Sequence, residues 1–141
     1  LYVPSPGEEN HFDNDLCINA FDLDRNDVHY GQSVAYSNQH ASGTTAGCTS
    51  SRGDGYDAVF QISLSSAGTL HVDTIGSDFD TILSIRSTCD DVTTEVSCDD
   101  DGGTGLTSSI NASLTAGTYY IIVDAYSSTG DGMFVLNYSI L

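Results

Sequence analysis

The sequence has no lysine and no tryptophan, and its only fixed positive charges are Arg25, Arg52 and Arg86. Phosphate backbones and anionic lipid surfaces bind clustered basic side chains, so three scattered arginines argue against nucleic acid and membrane surfaces as partners. No apolar run reaches about 18 residues, so the sequence predicts no membrane insertion. The chain begins at Leu1 without methionine or a basic leader, and we therefore expect either a processed mature chain or a trimmed fragment.

Acidic residues dominate the composition instead. Twenty Asp and Glu residues give the 141-residue chain a formal net charge of -17, and many of them stand in groups with glycine and asparagine. Such a charge opposes compaction unless it is offset, either by divalent metal in the clusters or by a solvent that screens widely spaced carboxylates. Clustered carboxylates and amides are the hard oxygen ligands that Ca²⁺ prefers, whereas Zn²⁺ would need more His and Cys at close spacing. We therefore predict Ca²⁺ as the cofactor.

The four cysteines form no CxxC pair, which favours disulfides and an extracellular or cell-surface location. Cys89 and Cys98 bracket a short polar stretch, so the preferred pairing closes this local loop and joins Cys17 to Cys48. Sequence alone does not choose among the three possible connectivities. Two short sequons predict N-glycan acceptors at Asn111 and Asn137.

Short segments with a period of two, separated by Gly, Ser, Thr and Asp, recur along the chain, and helical periodicity is nearly absent. The pattern predicts an all-β fold: a single antiparallel β-sandwich of about eight strands over residues 21–141, after an extended acidic N-terminal segment over residues 1–20. The predicted strands are Asp27–Tyr36, Tyr56–Leu64, Gly68–Thr74, Asp80–Arg86, Thr94–Cys98, Leu106–Leu114, Gly117–Ala125 and Gly132–Ile140.

Two of these strands allow predictions about their faces. Gly117–Ala125 is apolar on both faces, which predicts a central strand covered on both sides. In Gly132–Ile140 the alternation places Phe134 and Leu136 on the inner face and Asn137 on the other. His71, between Leu70 and Val72, is predicted to face solvent.

Several short motifs, in their order and spacing, resemble one family, the bacterial pre-peptidase C-terminal domains, which include the collagen-binding modules of clostridial collagenases. The resemblance covers most of the chain and implies a secreted, non-catalytic β-sandwich of jelly-roll type that is usually appended to a larger hydrolase. Its carriers are Asn14-Asp15 followed by Cys17 and Ala20, Asp54 and Asp57 before Val59-Phe60, Phe79-Asp80-Thr81 with Leu83, Cys98-Asp99-Asp100, Ser108-Ser109, Gly117 to Asp124, and Gly132 to Leu136.

The resemblance also implies a calcium site. In the collagenase modules, an acidic stretch and an Asp pair three residues apart bind the ion, and the matching positions here are Glu9, Asn14, Asp15, Asp54 and Asp57. At one position where the resemblance implies an acidic ligand, this chain has His11 instead. The alternative is a solvated acidic tail beside an unrelated loop.

A second acidic group, Asp99-Asp100-Asp101, opens a glycine-rich turn over residues 99–105. It is not an EF-hand loop, because Ile110 replaces the glutamate expected at the twelfth position and no flanking helices are predicted. Asp99 and Asp100 can still bind calcium together with Asp78 or Asp80. A solvated turn is the equal alternative.

No nucleophile and base share a recognisable motif, so the sequence predicts no enzymatic activity. The leading functional hypothesis is a structural or adhesive subunit that assembles head-to-tail with copies of itself, through Leu1, Tyr2 and Val3 added to a neighbour's sheet edge. The alternative is a module of a secreted hydrolase that binds an extracellular polymer, either collagen-like protein or polysaccharide.

Overall fold

The computed structural model describes residues 17, 20–23, 48, 57–127 and 132–141, and the backbone of residues 28–32. Within these ranges the chain forms nine strands, and Val92–Thr94 is a 3₁₀ turn. The strands are β1 Phe21–Asp22, β2 Val28–Gln32, β3 Asp57–Leu64, β4 Gly68–Asp73, β5 Thr81–Arg86, β6 Glu95–Asp99, β7 Ser109–Leu114, β8 Gly117–Ala125 and β9 Met133–Ile140.

The strands form the two sheets of a β-sandwich. One sheet has five strands in the order β1-β3-β8-β5-β6, and the other has four in the order β2-β9-β4-β7. Every pairing between the described strands is antiparallel except the short parallel contact between β1 and β3. The predicted all-β sandwich is therefore confirmed. The proposed boundary between residues 20 and 21 stays a prediction.

The main core lies between the sheets and follows the predicted alternation. Phe60, Ile62 and Leu64 of β3 point into it, as do Phe134 and Leu136 of β9. The rings of Phe60 and Phe134 meet edge to face, with centroids 6.1 Å apart. Alternate side chains of an antiparallel strand therefore enter the core, as the period of two requires.

Strand β8 is central, and both of its faces are buried, as predicted. Ile121 and Val123 enter the main core, whereas Ile122 lies on the outer face of the five-stranded sheet. There Ile122 packs with Val59 and Cys89, against Cys17 and Ala20. The outer face of this sheet is therefore a second apolar layer.

The disulfides attach the chain preceding β3 to this outer layer. Cys17 is bonded to Cys89 and Cys48 to Cys98, so the predicted bridges Cys89–Cys98 and Cys17–Cys48 are wrong. Cys98 lies opposite Ser84 inside the β5–β6 pair, whereas Cys89 lies beyond the end of β5. The two cysteines are thus at different levels along the hairpin, and each bonds a distant segment.

One strand begins later than predicted. Residues 103–107 form a turn in which Gly103 N–H donates to the Thr107 carbonyl at 2.8 Å and Thr107 Oγ1 donates to the Thr104 carbonyl at 2.8 Å. β7 therefore starts at Ser109 rather than Leu106. Of the predicted strand Asp27–Tyr36, the described part is β2.

His71 on β4 makes a cross-strand network on the outer face of the four-stranded sheet. Its Nδ1 lies 2.9 Å from Asn111 Oδ1 on β7, and its Nε2 lies 2.9 Å from Asp73 Oδ2. Burial alone would lower the pKa of His71, but the hydrogen bonds to Asn111 and Asp73 and the charge of Asp73 together raise it above 6.5. His71 is half-buried and bonded, rather than simply facing solvent.

We expect peptide mapping without reduction to recover Cys17 linked to Cys89 and Cys48 linked to Cys98. Replacing both members of either pair by serine should lower the unfolding free energy by about 2–4 kcal/mol, because the long closed loop no longer restricts the unfolded chain. Urea unfolding of each double variant measures the loss. A recovered Cys89–Cys98 peptide would contradict the structure.

The raised pKa of His71 predicts a pH dependence of stability. The protonated form is favoured in the folded state, so its contribution is complete below the unfolded pKa and is lost as the pH rises through the folded pKa. The stability advantage of the parent over His71→Gln should therefore be largest near pH 5.5 and shrink by pH 8. Urea unfolding at several pH values tests this, and parallel pH profiles for the two proteins would refute it.

Candidate functional site

Several strand ends meet at one end of the sandwich, which we call the loop end. β5 begins there and β6 and β8 end there, because β5 pairs antiparallel with both. β7 of the other sheet also begins there, since Ser109 N–H donates to Asp99 Oδ2 at the end of β6. Asp80 immediately precedes β5, and Asp100 and Asp101 immediately follow β6. Antiparallel pairing therefore brings the acidic turn beside Asp80, as the sequence predicts for Asp100.

Asp80, Asp100 and Asp101 form a three-carboxylate group. One oxygen from each residue lies within 4.8 Å of the other two. Two oxygens that bind one Ca²⁺ at about 2.4 Å cannot be more than about twice that distance apart, so the spacing meets the necessary condition for a shared ion. Within the described residues, this is the one such group of His, Cys, Asp and Glu.

The electrostatics of the group favour a bound cation or a proton. Burial, followed by the charges of Asp100 and Asp101, raises the pKa of Asp80 to about 6. Its Oδ1 is buried and accepts no hydrogen bond from the residues that the structure describes. A divalent cation would offset both the desolvation and the repulsion.

Asp99, which the sequence also placed among the ligands, lies outside this three-carboxylate group. Its Oδ2 accepts hydrogen bonds from Gly102 N–H at 2.7 Å and Ser109 N–H at 2.8 Å. These bonds fix the turn to the start of β7. A direct role for Asp99 in metal binding stays a prediction.

Three buried hydroxyl groups, which sequence reasoning did not identify as a unit, hold the acidic turn in place. Thr81 Oγ1 lies 2.6 Å from Thr74 Oγ1 and 3.0 Å from Ser108 Oγ. Ser108 Oγ is also 2.7 Å from the Asp100 carbonyl oxygen. The network therefore connects the strand that follows Asp80 with the backbone of Asp100. Thr81 and Ser108 both occur in the motifs that carry the family resemblance.

The metal ligands implied by the resemblance are only partly described. Asp57 is 1 % exposed and begins β3, directly opposite Asp124 of β8, which is 2 % exposed. The positions Glu9, Asn14, Asp15 and Asp54 lie outside the described residues, so their convergence on Asp57 stays a prediction.

Arg86 is the only Lys or Arg among the described side chains, and it is 3 % exposed. Its Nη1 donates to the Cys89 carbonyl at 2.9 Å. Burial lowers the pKa of Arg86, while the charges of Glu95, Asp124, Asp57 and Asp90 act in the opposite direction. No described Lys or Arg side chain is therefore exposed for an anionic partner.

The remaining predicted sites are placed as follows. Asn111 is exposed on β7, and Asn137 is half-buried on β9. Leu1, Tyr2 and Val3, the predicted self-assembly residues, lie outside the described residues. No helix among the described residues is long and apolar enough to cross a membrane.

No protein-family model matches the chain, and no curated protein matches it significantly. Among solved structures, a crystal structure of the pre-peptidase C-terminal domain of a collagenase from Bacillus anthracis is similar, with a TM-score of 0.58 and 16 % sequence identity. The alignment covers 85 % of this chain and 94 % of that domain. The chain therefore has a fold similar to that of a collagenase pre-peptidase C-terminal domain.

Proposed function

We propose that this chain is a non-catalytic accessory module of a secreted hydrolase, and that it binds the polymer on which the hydrolase acts. The observation that carries the proposal is the similarity of fold to a collagenase domain over nearly the full length of that domain. The two disulfides support an extracellular location, because such bonds persist in oxidising compartments.

The filament hypothesis from the sequence depended on the first three residues, which lie outside the described part of the chain. Neither the described residues nor the structural similarity supports head-to-tail assembly. We therefore prefer the accessory module. Its substrate class is an extracellular polymer, either collagen-like protein or polysaccharide.

The proposal is tested by cosedimentation of the full chain with insoluble collagen fibrils, cellulose and chitin. We expect saturable depletion from solution with one of these polymers. An unrelated protein of similar net charge serves as the control for nonspecific retention. Electron microscopy of the protein without polymer should show single particles. No retention on any polymer, together with ordered filaments, would favour self-assembly instead.

We also propose that Ca²⁺ binds the three-carboxylate group at the loop end. Asp80, Asp100 and Asp101 supply carboxylate oxygens, and carboxylates are preferred calcium ligands. The buried Oδ1 of Asp80 and the raised pKa of this residue support the proposal, because a cation would stabilise a charge that the protein otherwise disfavours. The ion would tie the acidic turn to the start of β5.

The calcium proposal predicts opposite effects of Asp80→Asn with and without the ion. At pH 7 in chelator, the variant should melt at the same temperature as the parent or higher, because it removes a disfavoured charge. In calcium, the parent should gain stability and the variant should gain less. A free concentration one hundred times the Kd corresponds to about 2.7 kcal/mol of stabilisation. Differential scanning calorimetry measures both comparisons.

The matched control is Asp90→Asn, which removes one carboxylate from the loop between β5 and β6, at the opposite end of the sandwich. It should retain the full stabilisation by calcium. Equal stabilisation of the parent and Asp80→Asn would place the ion elsewhere, and no stabilisation of the parent would remove the calcium proposal.

The Asp80→Asn variant, measured in chelator, also tests the raised pKa of Asp80. Because the folded pKa of about 6 exceeds the unfolded value of 3.8, the folded state keeps a proton that the unfolded state releases between these values. The stability of the parent relative to Asp80→Asn should therefore fall as the pH rises from 4 to 6. A constant difference across this range would contradict the assignment.

A further inference from the structure

The two sequons occupy one face of the domain but offer very different acceptor atoms. Asn111 on β7 and Asn137 on β9 both lie in the network around β4, where His71 is opposite Asn111 and Asp73 is opposite Asn137. An N-glycan is attached through the side-chain Nδ2 atom. The surroundings of this atom therefore decide which sequon the folded domain can carry in modified form.

The Nδ2 atom of Asn137 is engaged inside the structure. It donates to Asp73 Oδ1 at 2.7 Å and to the Ile75 carbonyl oxygen at 3.1 Å. Asp73 is buried, and its Oδ1 also accepts from Ile75 N–H at 3.0 Å. A glycosylated amide keeps only one N–H, so a sugar on Asn137 would remove one of these bonds and displace one of the acceptors.

The Nδ2 atom of Asn111 has the opposite environment. The side chain is exposed, and β7 is the last strand in the described order of its sheet. Asn111 Oδ1 lies 2.9 Å from His71 Nδ1, so the carbonyl end of the amide faces β4 and Nδ2 faces away. Nδ2 makes no hydrogen bond to any side chain or backbone group in the described ranges.

There is also room beside Asn111 for the first sugars. An open concavity of about 450 Å³ runs along the neighbouring edges of β6 and β7. Val96, one of its lining residues, is 47 % exposed and offers an apolar contact for an acetamido methyl group. Ser113, the hydroxyl residue of the sequon, is exposed two positions further along the same strand.

We propose that Asn111 is the N-glycan acceptor of this domain when it is exported through an N-glycosylating pathway, and that Asn137 stays unmodified. The bond forms between Asn111 Nδ2 and the anomeric carbon of a lipid-linked oligosaccharide. The bond from that carbon to the lipid pyrophosphate breaks, the pyrophosphate leaves, and the amide loses one proton. The glycan then covers the edge of β7, with which no other described strand pairs and which would otherwise be open to strand addition.

The test is secretion of the full chain from a cultured animal cell line, followed by glycopeptide mass spectrometry of the folded, soluble protein. We expect a glycan on Asn111 and none on Asn137. Ser113→Ala should abolish glycosylation, whereas the matched variant Ser139→Ala should leave it unchanged. A glycan on Asn137, or an unmodified Asn111 in the secreted protein, would overturn the proposal.

A second measurement covers the case in which secretion fails. The folded domain from bacterial expression is incubated with a purified single-subunit eukaryotic oligosaccharyltransferase and its lipid-linked donor. Asn111 should be modified while the melting temperature is unchanged. Modification of Asn137, or of neither residue in the folded protein when a control sequon peptide is modified, would refute the assignment. Neither outcome depends on polymer binding or calcium.

Discussion

The five-stranded sheet has two apolar faces, and much of the architecture follows from the need to cover both. β8 contributes Ile121 to the core between the sheets and Ile122 to the outer layer. The four-stranded sheet covers the first face. Cys17, Ala20 and Cys48, from the chain before β3, pack against the second. The disulfides therefore attach the chain before β3 to the outer face of the five-stranded sheet and do not close local turns. Their long sequence separations follow from this role.

The second constraint is negative charge. Several carboxylates accept hydrogen bonds from backbone N–H groups near strand ends. Asp73 accepts from Ile75 N–H and Asp78 from Met133 N–H, whereas Asp99 accepts from Gly102 N–H in its own turn and from Ser109 N–H at the start of β7. These hydrogen bonds tie neighbouring loops and strand ends together, so the carboxylates strengthen the loop end instead of only repelling one another. Asp80, Asp100 and Asp101 differ, because one oxygen from each lies within 4.8 Å of the other two. The local arrangement thus separates carboxylates that organise loops from the three carboxylates that we propose as calcium ligands.

The sequence predicts those features that depend on neighbours along a strand. Alternation identifies the inner faces of β3 and β9, and the doubly apolar pattern of Gly117–Ala125 identifies the central strand. The approach of Asp100 to Asp80 is also predictable, because consecutive antiparallel strands bring the start of one beside the end of the next. The turn at residues 103–107 was missed, since Leu106 continues an apolar pattern although the backbone has already turned.

Hydrophobic alternation along a strand does not predict features that depend on the register between strands distant in sequence. The contact of Asn137 with Asp73 requires β9 to pair with β4 at one particular offset, and 64 residues separate the two in sequence. The hydroxyl network of Thr74, Thr81 and Ser108 likewise joins three separate strand ends. Cysteine pairing fails for the same reason, because proximity in sequence is a poor guide when the partner covers a different layer.

The interleaved order of the disulfides determines what a single proteolytic cleavage does to the chain. The bridges join residue 17 to 89 and residue 48 to 98, so at least one bridge spans every peptide bond between residues 17 and 98. A single cleavage anywhere in that interval leaves the two fragments covalently linked. Local bridges would have allowed a cut between residues 48 and 89 to separate the fragments. The crossed connectivity therefore lets the domain survive nicking as one molecule.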